Sequence, residues 1–314
     1  MRVLLCGIAL SALASCASPG ERIGVSMALF DDNFLTVLRQ GMQDHAQTLD
    51  RVRLQVEDAQ NDVARQLSQI QNFIAQGVDA IIVNPVDTDA TPAMTRLAAE
   101  AGIPIIYVNR EPGDLDSLPP SAAFVGSNEA ESGTLATKAV CRLLTQAGKT
   151  DAGVVIMMGE LSNQAARQRT QDIHDVIATP ECKFIKVVEQ QTGNWRRTEG
   201  HDLMANWISA GTRFDAVVSN NDEMAIGAIQ ALKAAGYDMS TVIVAGIDAT
   251  QDALAAMKAG DLDVTVFQDG AGQGKGAVDA ALRLARGDST IERTVWIPFE
   301  LVMPSNMDRY LARN

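Results

Sequence analysis

The stretch that decides the fold is residues 22–42, which read RIGVSMALFDDNFLTVLRQGM. Its first part, Ile23–Leu29, is a near-continuous apolar run, which is typical of a strand covered on both faces in a parallel sheet. Apolar side chains then recur at helical spacing and predict a helix with one buried face, at Leu35, Leu38, Met42 and Leu49. A strand that leads directly into such a helix is the repeating unit of an α/β fold.

The same unit recurs along the rest of the chain. Further strands rich in β-branched residues are predicted at 52–56, 80–84, 104–108, 122–125, 153–158, 184–188, 216–219, 242–247 and 264–267. Between two of them, an apolar stripe at Val63, Leu67, Ile70 and Ile74 predicts a helix that Gly77 ends. Ten strands are more than one compact sheet holds, and the alternation of strands and helices is interrupted at residues 112–121. We therefore predict two doubly wound, parallel-sheet α/β domains, the first ending near Gly126.

The composition excludes several classes of protein. The 314 residues include 26 Lys+Arg and 39 Asp+Glu, which gives a formal charge of −13, so binding to nucleic acid is not expected. Hydrophobic residues make up 46% of the chain, enough for two buried cores. Beyond the N-terminus, no apolar run reaches the length that a membrane-spanning helix requires.

The N-terminus predicts export. Residues 3–14 form an apolar stretch of the length found in signal peptides. Leu13-Ala14-Ser15-Cys16 resembles the bacterial lipobox, in which the cysteine becomes the acylated first residue of a lipoprotein. We favour lipidation at Cys16 over ordinary cleavage after Ala17, and expect residues 1–21 to be a signal peptide and a tether.

Two further cysteines lie in the body of the chain. Cys141 falls late in a predicted helix, and Cys182 falls just before a predicted strand. An oxidising compartment would permit a disulfide bond between them. The sequence leaves the pairing open, because it does not show how far apart the two residues lie.

No catalytic or cofactor motif is evident. The histidines His45, His174 and His201 lack metal-site spacing, so no metal is expected. The glycine-rich stretch 270–276 lacks the spacing of a phosphate-binding loop. Asp31 and Asp32 are adjacent, and neighbouring side chains of an extended segment point apart, unlike the paired acids of a sugar hydrolase. We therefore predict a protein without a cofactor that is not an enzyme.

Polar side chains follow five of the predicted strands. They are Asp31-Asp32-Asn33, Asn109-Arg110-Glu111, Asn220-Asn221-Asp222, Asp248 and Gln268-Asp269. The carboxyl ends of parallel strands are where ligands of α/β proteins bind. Carboxylates, amides and guanidinium groups suit the hydroxyls of a polyol, and Phe34 and Trp195, at predicted helix starts, could stack on its C–H face. Each polar residue taken singly is more typical of a helix cap than of a ligand contact, whereas the set of five junctions favours a site.

These motifs also carry a family resemblance. The sequences at 23–34, 58–62, 108–112, 219–225 and 246–248 resemble the periplasmic sugar-binding proteins of bacterial ABC importers, ribose/galactose type. The resemblance runs from about residue 22 to residue 304. It implies two lobes joined by a three-stranded hinge, the type I periplasmic binding protein fold, in which a ligand in the interdomain cleft is enclosed by hinge closure.

The resemblance also implies roles for individual residues. Its expected ligand contacts are Asp32, Phe34, Asn109, Arg110, Arg169, Trp195, Asn221, Asp248 and Gln268. Glucose/galactose-binding members carry a His and an Asp where this chain has Asn163 and Ala165, which argues against a hexose. Their calcium loop is not recognisable at residues 146–153, so the expectation of no metal stands.

The resemblance implies a domain organisation as well. Crossings between lobes are expected near 126–128, 266–269 and 295–299. The N-terminal lobe then comprises residues 22–126 plus 268–296, and the C-terminal lobe comprises 127–267 plus 297–314.

The function implied is the periplasmic binding component of an ABC importer, a monomer that delivers a small neutral polyol to a membrane permease. Myo-inositol is our first prediction for the ligand and ribose the second, with glucose or galactose as the alternative. A role with a chemoreceptor is compatible with this function. Rivals from other classes are the effector-binding domain of a regulator and a sugar-processing enzyme.

Overall fold

The computed structural model describes residues 20–288 and 290–313, so the predicted signal peptide and the lipidation site Cys16 lie outside the described residues. The strands are β1 Arg22–Met27, β2 Arg53–Asp58, β3 Ala80–Val83, β4 Ile105–Val108, β5 Ala122–Gly126, β6 Ala152–Met158, β7 Ile185–Thr192, β8 Ala216–Ser219, β9 Ile243–Ala245, β10 Thr265–Phe267, β11 Thr294–Trp296 and β12 Glu300–Val302. The α-helices are α1 Asn33–Thr48, α2 Val63–Gln76, α3 Thr91–Glu100, α4 Glu129–Gln146, α5 Gln164–Ile177, α6 Arg197–Ser209, α7 Asp222–Ala234, α8 Gln251–Lys258 and α9 Gly270–Ala285.

Six strands form the first sheet, in the order β11-β5-β4-β3-β1-β2, and all its pairings are parallel. Helices α1 and α9 cover one face, where Leu38 and Val278 are buried. Helices α2 and α3 cover the other face, where Phe73 and Met94 are buried. We call these elements the first lobe.

Four strands form the second parallel sheet, in the order β7-β6-β8-β9, and β10 pairs with β12 antiparallel beside it. Helices α6, α7 and α8 cover one face, and α4 and α5 cover the other. The core on the α7 side includes Trp207 and Met224. We call these elements the second lobe.

The chain passes between the lobes three times. The passages lie between β5 and α4, between β10 and α9, and between β11 and β12. Helix α9 and strand β11 therefore belong to the first lobe although they follow the second lobe in the sequence. Two doubly wound lobes with parallel sheets are the predicted fold class, which is confirmed.

Several predicted boundaries differ from those of the structure. Strand β7 runs four residues beyond its predicted end, to Thr192, and β9 is shorter than predicted. Strands β11 and β12, of three residues each, were not predicted. Leu49 lies just after α1 in extended backbone and is not part of its apolar stripe.

Helix α2 shows why periodicity alone misplaces a buried face. Gln66 and Gln69 are buried along with Ile70 and Phe73, whereas the predicted positions Leu67 and Ile74 are only half-buried. The Gln66 amide donates to the Asn84 carbonyl at 3.0 Å and accepts from the Val86 N–H at 2.8 Å. Hydrogen bonds to the backbone therefore allow polar side chains to occupy the interior. Gly77 does end this helix in left-handed backbone, with φ 63°.

Cys141 and Cys182 are joined by a disulfide bond, with their Cα atoms 5.8 Å apart. The bond ties the last part of α4 to the segment that leads into β7. The pairing that the sequence left open is therefore present. None of the helices in the described part of the chain combines the length and the apolar character that crossing a bilayer requires.

Candidate functional site

A cavity lies between the two lobes, at the carboxyl ends of the strands of both sheets. Its lining comprises Asp32, Phe34, Leu35, Asn109, Arg110, Glu129, Asn163, Ala165, Arg169, Trp195, Asn221, Asp248 and Gln268. All nine residues that were predicted as ligand contacts are in this set, which the fold collects from distant parts of the sequence. Leu35, Glu129, Asn163 and Ala165 were not predicted as contacts.

The first lobe contributes residues from two strand ends. Asp32 follows β1 and caps α1, because its Oδ1 accepts from the Leu35 N–H at 2.8 Å. Burial raises the pKa of the Asp32 carboxyl above its ordinary value, and the Arg110 guanidinium opposes that rise. Phe34, the second residue of α1, is buried beside Gly270 of α9. One residue thus serves as a helix cap and lines the cavity, so the two readings of Asp32 are compatible.

Asn109 and Arg110 follow β4. Asn109 has a φ of 68°, a left-handed conformation that asparagine tolerates better than most residues. Its amide donates to Gln273 Oε1 at 3.2 Å, and its Oδ1 accepts from the buried Asn84 at 3.4 Å. Arg110 donates to the Pro85 carbonyl at 2.8 Å, and burial lowers the pKa of this guanidinium. Buried amides therefore orient Asn109, and a backbone carbonyl orients Arg110.

The second lobe contributes a buried arginine on α5. Arg169 is 4% exposed and donates through Nε and Nη2 to both carboxylate oxygens of Glu129, at 2.7 and 2.9 Å. Its Nη1 donates to the Asn220 carbonyl at 2.7 Å. Burial opposes the charge of Arg169, but Glu129 outweighs that effect, so the pKa of Arg169 is raised. The guanidinium plane is therefore fixed by the protein itself.

Glu129 is a residue that sequence reasoning missed. It is 1% exposed in the first turn of α4, just after the chain enters the second lobe. A glutamate in a first turn is ordinarily explained by the helix dipole and solvent exposure. Only its neighbours in space reveal the pairing with Arg169, which lies 40 residues away in the sequence.

Asp248 and Gln268 lie on the same side of the cavity. Asp248 has a φ of 124°, and one of its oxygens lies 3.9 Å from Arg169 Nη1. Burial raises the pKa of Asp248 well above its ordinary value, although Arg169 opposes this. Gln268 Oε1 accepts from Arg169 Nη2 at 3.4 Å. The left-handed backbone at Asp248 is a strained conformation of the kind that clusters at binding sites.

Trp195 provides an aromatic wall. It lies in the turn before α6 and not within the helix start, with φ 66°, and the preceding Asn194 is also left-handed at 51°. Its indole lies over Gly159, where the Cβ of any other residue would overlap the ring. Asn221, which caps α7 through the Met224 N–H, also donates to the Trp195 carbonyl at 3.1 Å.

The cavity therefore combines planar hydrogen-bonding groups with two aromatic rings. Carboxylates, amides and guanidinium groups can each engage neighbouring hydroxyls, and the rings can cover an apolar C–H face. This arrangement suits binding of a small polyol. Among residues 20–288 and 290–313, no cluster of His, Cys, Asp and Glu side chains has the arrangement of a metal site.

The chain belongs to the periplasmic binding protein family, because residues 23–289 match the family described as a periplasmic binding protein domain. It is a sugar-binding component of an ABC importer and is not an enzyme, which confirms these two predictions.

Individual relatives agree with this assignment. A Rhizobium meliloti protein provisionally named a rhizopine-binding protein is 62% identical over 314 residues, which is 100% of both chains. A solved ABC transporter solute-binding protein from Bacillus halodurans with bound myo-inositol is 44% identical, has a TM-score of 0.87, and covers 95% of this chain and 100% of its own. A Caulobacter myo-inositol binding protein bound to myo-inositol is 27% identical with a TM-score of 0.81, covering 92% and 94% of the two chains.

Proposed function

We propose that this protein binds myo-inositol in the cavity between its lobes and delivers it to the permease. The observation that carries the proposal is the 44% identity to a solute-binding protein solved with bound myo-inositol, over nearly the whole chain. The nine predicted side chains are the proposed ligand contacts, with Phe34 and Trp195 on the two faces of the ring. The lobes are proposed to comprise residues 22–126 plus 268–296 and residues 127–267 plus 297–314.

The residues of the cavity wall favour a ligand whose ring has no exocyclic hydroxymethyl group. Ala165 offers no hydrogen-bonding side chain at this wall. The Asn163 amide is already bonded, because its Oδ1 accepts from Trp195 Nε1 and its Nδ2 donates to the Val86 carbonyl. These are the positions at which the sequence departs from hexose-binding members. Ribose therefore ranks above glucose and galactose as the second polyol.

Rhizopine is a further candidate cargo. The observation that favours it is the 62% identity, over the full length, to the Rhizobium meliloti relative. Isothermal titration calorimetry with myo-inositol, ribose, rhizopine, glucose and galactose tests the ranking. We expect the tightest binding for myo-inositol. Tight binding of glucose or galactose without a response to myo-inositol would contradict the proposal. Tighter binding of rhizopine than of myo-inositol would make rhizopine the proposed cargo.

The cellular setting is proposed from the sequence. We infer that the mature protein is monomeric and is anchored to a membrane through acylated Cys16, with a chemoreceptor as a compatible further partner. Mass spectrometry of the mature N-terminus tests the anchor: a mass that includes diacylglycerol on Cys16 is expected, and an unmodified N-terminus at Ser18 would contradict it. A native mass spectrum of the intact protein reports whether it is monomeric.

A further inference from the structure

Helix α5, which carries Arg169, begins in an unusual way. Asn163 occupies its N-cap position in extended backbone, but the Asn163 side chain makes no hydrogen bond to the helix. Asparagine is favoured at this position because its side chain normally accepts from an N–H of the first turn. The caps Asp32, Asn221 and Asp269 of other helices all do so. The amide of Asn163 therefore has another use.

A residue of the first lobe supplies the missing cap. Thr88, in the short 3-10 helix Thr88–Ala90 that follows β3, is 0% exposed. Its Oγ1 accepts from the Gln164 N–H at 3.1 Å and lies 3.1 Å from the Ser162 carbonyl, to which it donates. The Thr88 N–H donates to the same carbonyl at 3.1 Å. The first turn of a second-lobe helix is thus completed by a side chain across the cleft.

The Asn163 side chain makes three other contacts, one of which is local, from its Nδ2 to Ser162 Oγ at 3.2 Å. It is 0% exposed and accepts from Trp195 Nε1 at 3.1 Å, which fixes the indole against the cavity. Its Nδ2 donates at 3.1 Å to the Val86 carbonyl of the first lobe. One amide therefore joins the aromatic wall of the second lobe to the backbone of the first.

We propose that Thr88 and Asn163 form a latch that couples closure of the lobes to the placement of Trp195. With the lobes together, Thr88 caps α5, and the Asn163 amide holds Trp195 and the Val86 carbonyl. When the lobes part, Thr88 and Val86 withdraw, and the Asn163 side chain turns to cap its own helix, since the Gln164 N–H that Thr88 capped would otherwise lose its partner. That rotation releases the Trp195 indole. The latch rests on the proposed function, since it acts on the ligand in the same cavity.

The test compares Thr88→Val, Thr88→Ser and Thr241→Val by stopped-flow kinetics. Valine keeps the shape of Thr88 but removes the hydroxyl, whereas serine keeps the hydroxyl. Thr241 is the matched control, because its hydroxyl donates to Asp238 within one turn of a single lobe. The probe is whichever of the five calorimetry ligands the wild-type protein binds most tightly. We expect about tenfold faster dissociation for Thr88→Val, with association within about twofold of wild type, as loss of closed-state bonds predicts.

A spectroscopic readout separates the latch from a merely structural role. In protein labelled with 5-fluorotryptophan, the ¹⁹F resonance of Trp195 is assigned with a Trp195→Phe variant. For the ligand-bound Thr88→Val and Asn163→Ala variants, we expect this resonance to move toward its ligand-free position, and Thr88→Ser to restore it.

Three results would overturn the latch. The first is a dissociation rate of Thr88→Val within twofold of wild type, and the second is a Trp195 resonance that does not move in that variant. The third is a melting temperature of Thr88→Val that falls equally with and without ligand, which would assign the hydroxyl a role within its own lobe. A wild-type protein that binds a ligand other than myo-inositol contradicts the proposed cargo but leaves this comparison intact.

Discussion

Arg169 and Glu129 form the most deeply buried ion pair of the cavity, at 4% and 1% exposure. Both carboxylate oxygens accept from the guanidinium, so its orientation is set before a ligand arrives. An arginine held in this way loses little side-chain freedom on binding, which favours affinity. Removal of Arg169 would leave the Glu129 carboxylate buried without its cationic partner.

The variant Arg169→Met tests this pair. We expect the free energy of unfolding to fall by about 3–5 kcal/mol, because Glu129 becomes an isolated buried charge. Ligand affinity should fall by about 2–5 kcal/mol, as for other buried charged contacts. The double variant Glu129→Gln/Arg169→Met should recover most of the stability but not the affinity. Urea unfolding and calorimetry measure the two quantities, and equal stability of the single and double variants would contradict the pairing.

Asp172, on the buried side of α5 that packs against α4, predicts a pH dependence. Burial raises the pKa of its carboxyl to about 6, although a hydrogen bond from Gln168 at 2.8 Å lowers it. The folded protein therefore holds this proton more tightly than the unfolded chain, whose Asp pKa is about 3.9. The stability that Asp172 contributes is present at pH 4 and is lost as the pH rises through about 6.

The variant Asp172→Asn removes that titration. We expect it to be more stable than wild type at pH 7.5 by about 1 kcal/mol, after allowance for solvent screening, and equal to wild type at pH 4. Asp175→Asn is the matched control, because exposed Asp175 accepts from Gln171 one turn along in the same way. Urea unfolding at pH 4, 6 and 7.5 measures the difference. A parallel pH dependence for wild type and Asp172→Asn would show that Asp172 does not titrate in this range.

Several residues of the cavity could be predicted from their place at strand ends, whereas Arg169 of α5 was predicted only from the family resemblance. Asp32, Asn109, Asn221 and Asp248 follow apolar strands directly, and parallel strands bring their carboxyl ends to one edge. Glu129 and Asn163 could not be found this way, because their importance comes from partners on other elements. The ligand roles of the nine predicted residues stay predictions until binding is measured.

At the level of elements, the disulfide stabilises the second lobe away from the cavity. It closes a loop between residues 41 apart, from the end of α4 to the approach of β7. The elements that it joins pack in the core below α5, which positions Arg169. The bond therefore supports the framework and not the lining itself.

The double variant Cys141→Ser/Cys182→Ser tests this role. We expect the free energy of unfolding to fall by about 3–4 kcal/mol, as the entropy of a loop of this length predicts. The dissociation constant for the ligand should stay within about twofold, because neither cysteine lines the cavity. Wild-type protein treated with a reductant should match the variant. An unchanged urea midpoint, or a large loss of affinity with full stability, would contradict the assignment.

Elements with a strong local pattern were predictable from the sequence. All ten predicted strands are present, since runs rich in apolar β-branched residues fit the pleated, buried surface of a sheet. Strands β11 and β12 were missed because they exist only through pairing with β5 and β10. The buried face of α2 was misjudged because Gln66 and Gln69 are satisfied by partners outside the helix.

In the molecule as a whole, side chains meet across the mouth of the cleft. Asn33 donates to Glu223 at 2.7 Å, Asn61 donates to Glu160 at 2.9 Å, and Arg167 lies 3.2 Å from Asp89. Each of these pairs joins the two lobes, so the structure shows the lobes in a closed arrangement. These contacts are exposed or half-buried, and each is worth about 1 kcal/mol or less. These three pairs therefore add little to the closed form, and we expect contacts of the ligand with both lobes to shift the equilibrium toward it.

Small-angle X-ray scattering tests this balance. We expect the radius of gyration to be about 19 Å in saturating ligand, the value for a compact chain of this length, and larger without ligand. The ligand shifts the population because its contacts to both lobes exist only in the closed form. Arg169→Met should show no ligand-dependent change at a ligand concentration that just saturates the wild-type protein. Identical scattering of wild-type protein with and without bound ligand would contradict closure.

The three passages between the lobes have a consequence for biosynthesis. Helix α9 packs against α1, and strand β11 supplies the edge of the first sheet, yet both are translated only after residue 270. A growing chain can therefore complete the second sheet while the apolar side chains that face α9, such as Leu38 and Met42, remain uncovered. The first lobe therefore cannot finish folding until the second sheet has been translated, so an interrupted translation product would expose a half-built core to proteases and chaperones.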